Sequence, residues 1–186
     1  SHCMAKSVDE AMQWLAPRQI LDVRGDWTAQ APDLLPGGWA FQYNNPHFPD
    51  LDDTAVVASL LHLSVRNSPD ADRYRYRDRI NRAADWLAGM QSSNGGFAAF
   101  DRDNDREYIN HIPFADHGAM LDPPTEDVSG RVIACLGLLD RPQDRKAIRR
   151  CIRYLKRRQQ KDGSWWGRWG TNYIYGTWSV LAGLVL

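Results

Sequence analysis

Three aspartates fall within four positions in the run Pro49-Asp50-Leu51-Asp52-Asp53-Thr54, directly before a nearly continuous apolar stretch. Neighbouring like charges and removal from water both raise a carboxyl pKa, so one of Asp50, Asp52 and Asp53 is expected to hold a proton. A helix start attracts acidic residues through its dipole, but one Asp satisfies that demand and three exceed it. Three glycine- and aromatic-rich segments accompany the acids: Pro36-Gly37-Gly38-Trp39-Ala40-Phe41-Gln42-Tyr43, Asn94-Gly95-Gly96-Phe97-Ala98-Ala99-Phe100-Asp101, and the stretch from Trp165 to Thr177. With 8 Trp, 7 Tyr and 5 Phe, the chain has more aromatic faces than a plain helical bundle needs. A proton-bearing acid facing aromatic rings suits carbocation chemistry. Protonating an alkene needs a strong, dry acid, and each ring face stabilises a nearby cation by about 0.5–2 kcal/mol. Water must stay out until the cation is quenched.

Other chemistries fit less well. Asp101, Asp103, Asp105 and Glu107 imitate the start of a calcium loop, but Arg106 takes the glycine position and Ile112 that of the closing Glu, which leaves a solvated loop. His111, Asp116 and His117 lack zinc-ligand spacing. No metal and no cofactor is expected, and no phosphate-binding loop or nucleophile paired with a base is present. Lys plus Arg and Asp plus Glu each number 23, so no net field recruits nucleic acid. Cys3, Cys135 and Cys151 form no C-x-x-C pair and suggest a reducing compartment. No apolar run approaches the ~18 residues of a membrane span, the longest being Trp178 to Leu186. Ser1-His2-Cys3-Met4 has no signal-peptide character and reads as an expression remnant.

Period-3.6 patterning predicts an all-α protein of six helices. They run from about Ser7 to Ala16 behind a Ser7/Glu10 capping box, from just after Asp52-Asp53-Thr54 to about Arg66, from Tyr76 to Gln91, from Asp127 to Leu139, from Gln143 to Gln160, and from Tyr175 onward. The second is apolar nearly all round and should be buried, whereas the third and fifth have charged faces and should lie outside. A repeat of about seventy residues runs through them. Trp14-Leu15 precedes Gln19 and Gly25-Asp26-Trp27; Trp86-Leu87 precedes Gln91 and Gly95-Gly96-Phe97; Tyr154-Leu155 precedes Gln159 and Gly163-Ser164-Trp165. A Gln amide can bond free backbone groups at a helix end while the aromatic packs over it. Stacked outer and inner helices of this kind form an α/α toroid, an α6/α6 barrel with inner helices around a cavity. Residues 1–186 are expected to be a single partial domain of a longer protein, because the last helix is still apolar where the chain stops.

These motifs, together with Asn110-His111-Ile112-Pro113-Phe114, Asp122-Pro123-Pro124-Thr125-Glu126-Asp127-Val128 and Trp166-Gly167-Arg168-Trp169-Gly170-Thr171-Asn172-Tyr173-Ile174-Tyr175-Gly176-Thr177, closely resemble the squalene-hopene cyclase family. The resemblance covers nearly the whole chain. D-x-D-D-T-A rather than the D-C-T-A-E of oxidosqualene cyclases implies squalene without an epoxide. It implies further that Asp52 is the general acid, that Asp50 and Asp53 position and acidify it, and that Asp127 and Arg131 support it. Many relatives have His where Arg131 stands, and a guanidinium cannot relay a proton. Phe41, Phe100 and Trp169 match cation-stabilising positions, and Tyr173 and Tyr175 match an aromatic wall near the acid. The family implies that the chain is part of the catalytic barrel of a longer two-domain enzyme, a peripheral homodimer on the cytoplasmic side of the cell membrane in a bacterial parent.

Three other functions compete with this reading. A diterpene or other D-x-D-D cyclase acting on a diphosphate would need cationic residues, and the third aromatic segment offers only Arg168. A toroidal glycosidase would need carboxylates across a cleft, whereas these are nearly contiguous. A lipid- or peptide-binding helical module would retain its ligand unchanged.

Overall fold

The computed structural model describes residues 2–66, 74–105, 121–170 and 172–185. The α-helices of the described residues are α1 (His2–Leu15), α2 (Leu51–Arg66), α3 (Arg77–Gly89), α4 (Glu126–Leu139), α5 (Arg145–Arg158) and α6 (Asn172–Leu184). Helices α2, α4 and α6 pack in a row, with α1 against α2, α3 between α2 and α4, and α5 behind α4. These three outer–inner pairs are an arc of the α/α toroid expected from the repeat. Helix α1 starts at His2, ahead of Ser7, so Ser7 and Glu10 lie inside it and form no capping box.

Charge patterning divides the roles. Helix α5 buries Cys151, Tyr154 and Leu155 and turns its Arg and Lys outward, and α3 buries Ile80, Ala83, Ala84, Trp86 and Leu87. Helix α2 departs from the expectation of full burial. Leu51, Thr54, Ala55, Ala58, Leu61 and Val65 are buried, while Leu60 and Leu63 on its other side are exposed. Apolar periodicity all round a helix reports two apolar faces, and only one of them is covered here. On α6, Ile174, Trp178 and Leu181 are likewise exposed. The α4–α6 crossing is close enough that a methyl group on Gly130 would meet the Ser179 carbonyl oxygen at 2.6 Å.

The repeat is held by the same bonds three times. Side-chain Nε2 of Gln19, Gln91 and Gln159 donates to the carbonyl oxygen of Gly37, Gly95 and Gly163 at 2.8, 2.9 and 2.9 Å. The first two Gln side chains also reach the next outer helix, at the Arg79 and Ala147 carbonyls. The aromatic that follows each turn donates its backbone N–H to a hydroxyl on the next inner helix: Trp39 to Thr54, Phe97 to Ser129 and Trp165 to Thr177, at 2.8, 2.9 and 2.9 Å. The indoles of Trp39 and Trp165 cap Leu15 and Leu155 at the ends of α1 and α5. In the first unit, therefore, the partner of Gln19 is Gly37-Gly38-Trp39 and not Gly25-Asp26-Trp27. Trp27 instead packs edge-on against Trp86 in the core, with ring centroids 5.9 Å apart.

Candidate active site

Each inner helix is entered from a pinned loop. In the first, β1 (Trp39–Ala40) pairs antiparallel with β2 (Pro49–Asp50), Trp39 opposite Asp50. The second repeats this as a single bridge from Phe97 to Thr125. The pairing sets Asp50 at the end of a strand and starts α2 at Leu51, so Asp52 and Asp53 occupy the first helical turn rather than the loop before it. Asp50 Oδ1 accepts the Asp53 N–H at 2.7 Å, which makes Asp50 the residue that closes this turn. The Leu51 N–H donates to the Ala99 carbonyl at 2.8 Å and ties the acid loop to the second aromatic loop.

Burial dominates the electrostatics of the cluster. It pushes the Asp50 carboxyl from an ordinary 3.8 up to about 7, with the charges of Asp53 and Asp52 acting in the same direction. Asp52 and Asp53 are also raised, chiefly by burial; at Asp52 the nearby Asp127 raises further and Arg131 lowers. Adjacent acids share their protons, so the cluster titrates as a unit. Geometry separates the members. Asp50 is 5% exposed and turned into the fold, whereas the Asp52 side chain is 31% exposed and faces Arg131, with Nε 3.4 Å from Oδ1.

The structure brings most of the expected residues together. Phe41 and Phe100 meet edge to face with centroids 6.5 Å apart, and Phe100 and Trp169 do so at 6.3 Å, forming one aromatic row across all three entry loops. Arg131 lies 5.9 Å from the Tyr175 ring centroid. Tyr173, two positions and more than half a helical turn from Tyr175, lines a shallow groove with Thr177, Trp178 and Leu181.

Asp122, given no role by the sequence, organises the row. Its carboxylate accepts the N–H groups of Ala99, Phe100 and Asp101, fixing the loop that carries Phe100. Asp127 does the same for the third loop, accepting the Trp169 N–H at 2.9 Å. The Asp122-Pro123-Pro124 sequence signals an acid held before a rigid turn, though not which loop it grips. Asp103 Oδ1 accepts the Ser93 N–H, and Asp101 accepts the Asn104 amide. His111, Asp116, His117, Glu107 and the Asn110 to Phe114 motif lie outside the described residues.

Three outer–inner helix pairs that present a desolvated acid group and an aromatic row at the entrances to the inner helices define a segment of an acid-bearing α/α toroid. The family described as squalene-hopene cyclase C-terminal domain matches residues 2–186, and the chain belongs to that family. It is 57% identical over 176 residues to a squalene-hopene cyclase of Schizosaccharomyces japonicus, a match that covers 95% of this chain and 26% of that protein. It is 50% identical to the squalene-hopene cyclase of Zymomonas mobilis, over 96% of this chain and 27% of that one. Identity to the Alicyclobacillus acidocaldarius enzyme of the same name is 49%, over 94% and 27% respectively. The chain thus spans about a quarter of the length of these relatives.

Proposed function

We propose that this chain is the acid-bearing part of a squalene-hopene cyclase, which converts squalene to pentacyclic hopene or hopanol. The observation that carries the reading is the position of Asp52, desolvated beside Arg131 and Asp127 on the inner-helix row whose entry loops carry Phe41, Phe100 and Trp169. The Asp52 O–H bond breaks as its proton forms a C–H bond with the terminal alkene, leaving a tertiary cation on the neighbouring carbon. Successive alkenes attack in turn, and each ring closure passes the charge along the chain. The aromatic row offers ring faces to that charge without a nucleophilic atom. Loss of a proton to water ends the sequence as hopene, and capture of water followed by loss of a proton from the resulting oxonium ends it as hopanol. The reaction is an isomerisation in the first case and needs no cofactor.

Asp50, Asp52 and Asp53 lie within one strand end and one helical turn, an arrangement that does not place two carboxylates across a sugar. Squalene partitions into lipid, which favours a parent enzyme working from the cytoplasmic surface of the cell membrane. The homodimer implied by the resemblance belongs to that same proposal. The exposed apolar faces of α2 and α6 leave the site open to water, so the isolated segment is expected not to cyclise squalene.

The test uses the full-length protein with squalene in detergent, with products identified by gas chromatography and mass spectrometry. A pentacyclic product that disappears in Asp52→Asn supports the reading. Squalene recovered unchanged from folded wild-type protein overturns it in favour of another polyprenoid or a binding role.

A further inference from the structure

Arg131 and Asp52 approach without bonding. The guanidinium Nε is 3.4 Å from the carboxylate Oδ1, both atoms are shut off from water, and neither makes a hydrogen bond. An arginine free to choose settles on a carboxylate as a two-pronged hydrogen-bonded pair. Here the guanidinium carbon lies 4.7 Å from the centroid of the Trp178 ring and 5.9 Å from that of Tyr175. The two rings, 5.9 Å apart and tilted by 47°, form a shallow seat on α6. Trp178 is 52% exposed, so its indole fills no core space, and Arg131 is the charged group it touches.

We propose that Trp178 is a positioning residue of the acid centre, whose ring face holds the Arg131 guanidinium beside Asp52 as a charge and keeps it from closing a forked hydrogen bond on that carboxylate. The proposal rests on the reading of Asp52 as the acid. A forked pair would hold Asp52 ionised and take it out of use as a proton donor, while loss of the cation would leave the carboxylate formed by proton transfer without its counter-charge. The ring holds the arrangement between these limits.

The groups that face Asp52 fix the direction of the effect. Asp50 and Asp53 flank it on β2 and α2, Asp127 and Arg131 face it from α4, and α6 brings the rings of Tyr175 and Trp178. Burial and Asp127 raise the Asp52 pKa, and Arg131 lowers it. Releasing Arg131 onto Asp52 strengthens the lowering influence. An acid catalyst works below its pKa, so the alkaline limb of the pH–rate profile moves to lower pH when Trp178 is removed.

The experiment compares full-length wild type with Trp178→Ala, Trp178→Phe, Arg131→Gln and the Trp178→Ala/Arg131→Gln double variant. Trp178→Ala is expected to lower kcat for squalene about tenfold at pH 7, with the alkaline limb shifted down by about one pH unit and KM unchanged. Trp178→Phe, which keeps a ring face, restores most of the loss. In the Arg131→Gln background the same truncation adds less than about twofold, because the two residues act as one unit. A raised KM with an unmoved limb, or full additivity with Arg131→Gln, would make Trp178 a wall or packing residue and overturn the proposal. Infrared titration of the Asp52 carboxyl stretch, isolated by difference against Asp52→Asn, reads the same downward shift without turnover. An unmoved midpoint in Trp178→Ala overturns the proposal even if squalene proves not to be the substrate.

Discussion

Asp52 and Asp127 occupy the same place in successive repeats. Each stands two residues before the hydroxyl, Thr54 or Ser129, that accepts the N–H of the preceding aromatic. Tyr175 holds that place in the third repeat, two residues before Thr177. Asp52 and Tyr175 both lie against Arg131, yet the two carboxylates have different surroundings. Asp127 accepts backbone N–H groups on both oxygens, from Val128 and Trp169, whereas Asp52 has a buried oxygen with no hydrogen bond. One scaffold thus makes one Asp a clamp for an aromatic loop and leaves the other short of donors. Reactivity is decided by what the neighbouring loop supplies and not by the residue type or its helical position.

Exchanging the two acids for amides is the strongest test of that contrast. Asp52→Asn is expected to remove product formation in the full-length enzyme, a loss of at least about 10²-fold to 10⁴-fold, because an amide has no proton of suitable acidity. Asp127→Asn should retain catalysis at a reduced level, with the alkaline limb of the pH profile lowered, since the charge of Asp127 pushes Asp52 toward its protonated form. Equal losses, with no change of profile in the second variant, would erase the distinction.

Asp50 sharpens the comparison from the side of stability. Its carboxyl is raised to about 7 when folded and returns to about 3.8 when unfolded. The folded state therefore binds the proton more tightly, and stability falls as pH rises from about 4 through 7. Asn at this position resembles the protonated acid and can still accept the Asp53 N–H. Asp50→Asn is expected to melt with wild type near pH 3.5 and above it at pH 8, with the gap opening between those values. A gap that is constant with pH would show that burial of Asp50 carries no such cost.

The three hydroxyls should be less sensitive than the acids and graded among themselves. Thr54→Val and Ser129→Ala each strand a buried backbone N–H and are expected to cost about 1–3 kcal/mol. Thr177→Val should cost less because Thr177 is only partly buried. Thermal melting of the three variants reads the order directly, and equal losses would contradict it.

Much of this arrangement is legible in the sequence because it rests on local signals. Helical period, the acid run before an apolar helix, and Gln followed four residues later by Gly mark α2 to α6 and two of the three turns. The first turn is obscured because residues 20–36 separate Gln19 from its partner Gly37, and Gly25-Asp26-Trp27 inside that stretch imitates the motif. Tyr173 and Tyr175 look alike in a string of aromatics, but helix geometry sends them to different faces. Asp122 grips Phe100 from 22 residues further along the same entry segment, and Trp178 meets Arg131 of the preceding repeat. No spacing rule within one repeat reports those contacts.

The repeated Gln residues provide the finest comparison, since the three make the same turn bond in different surroundings. Gln91 is 4% exposed and bridges two segments, through Gly95 and the first turn of α5. Gln159 is exposed and, among the described residues, bonds within its own turn at Gly163. Gln91→Ala removes one buried and one part-buried bond, so a loss of about 1–3 kcal/mol is expected. Gln159→Ala in the isolated segment should cost about 0.5 kcal/mol or less, as exposed substitutions do. Chemical denaturation of the two variants of the segment measures the difference. Equal losses would mean that the turn itself, and not the bridge to the next outer helix, is what the glutamine stabilises.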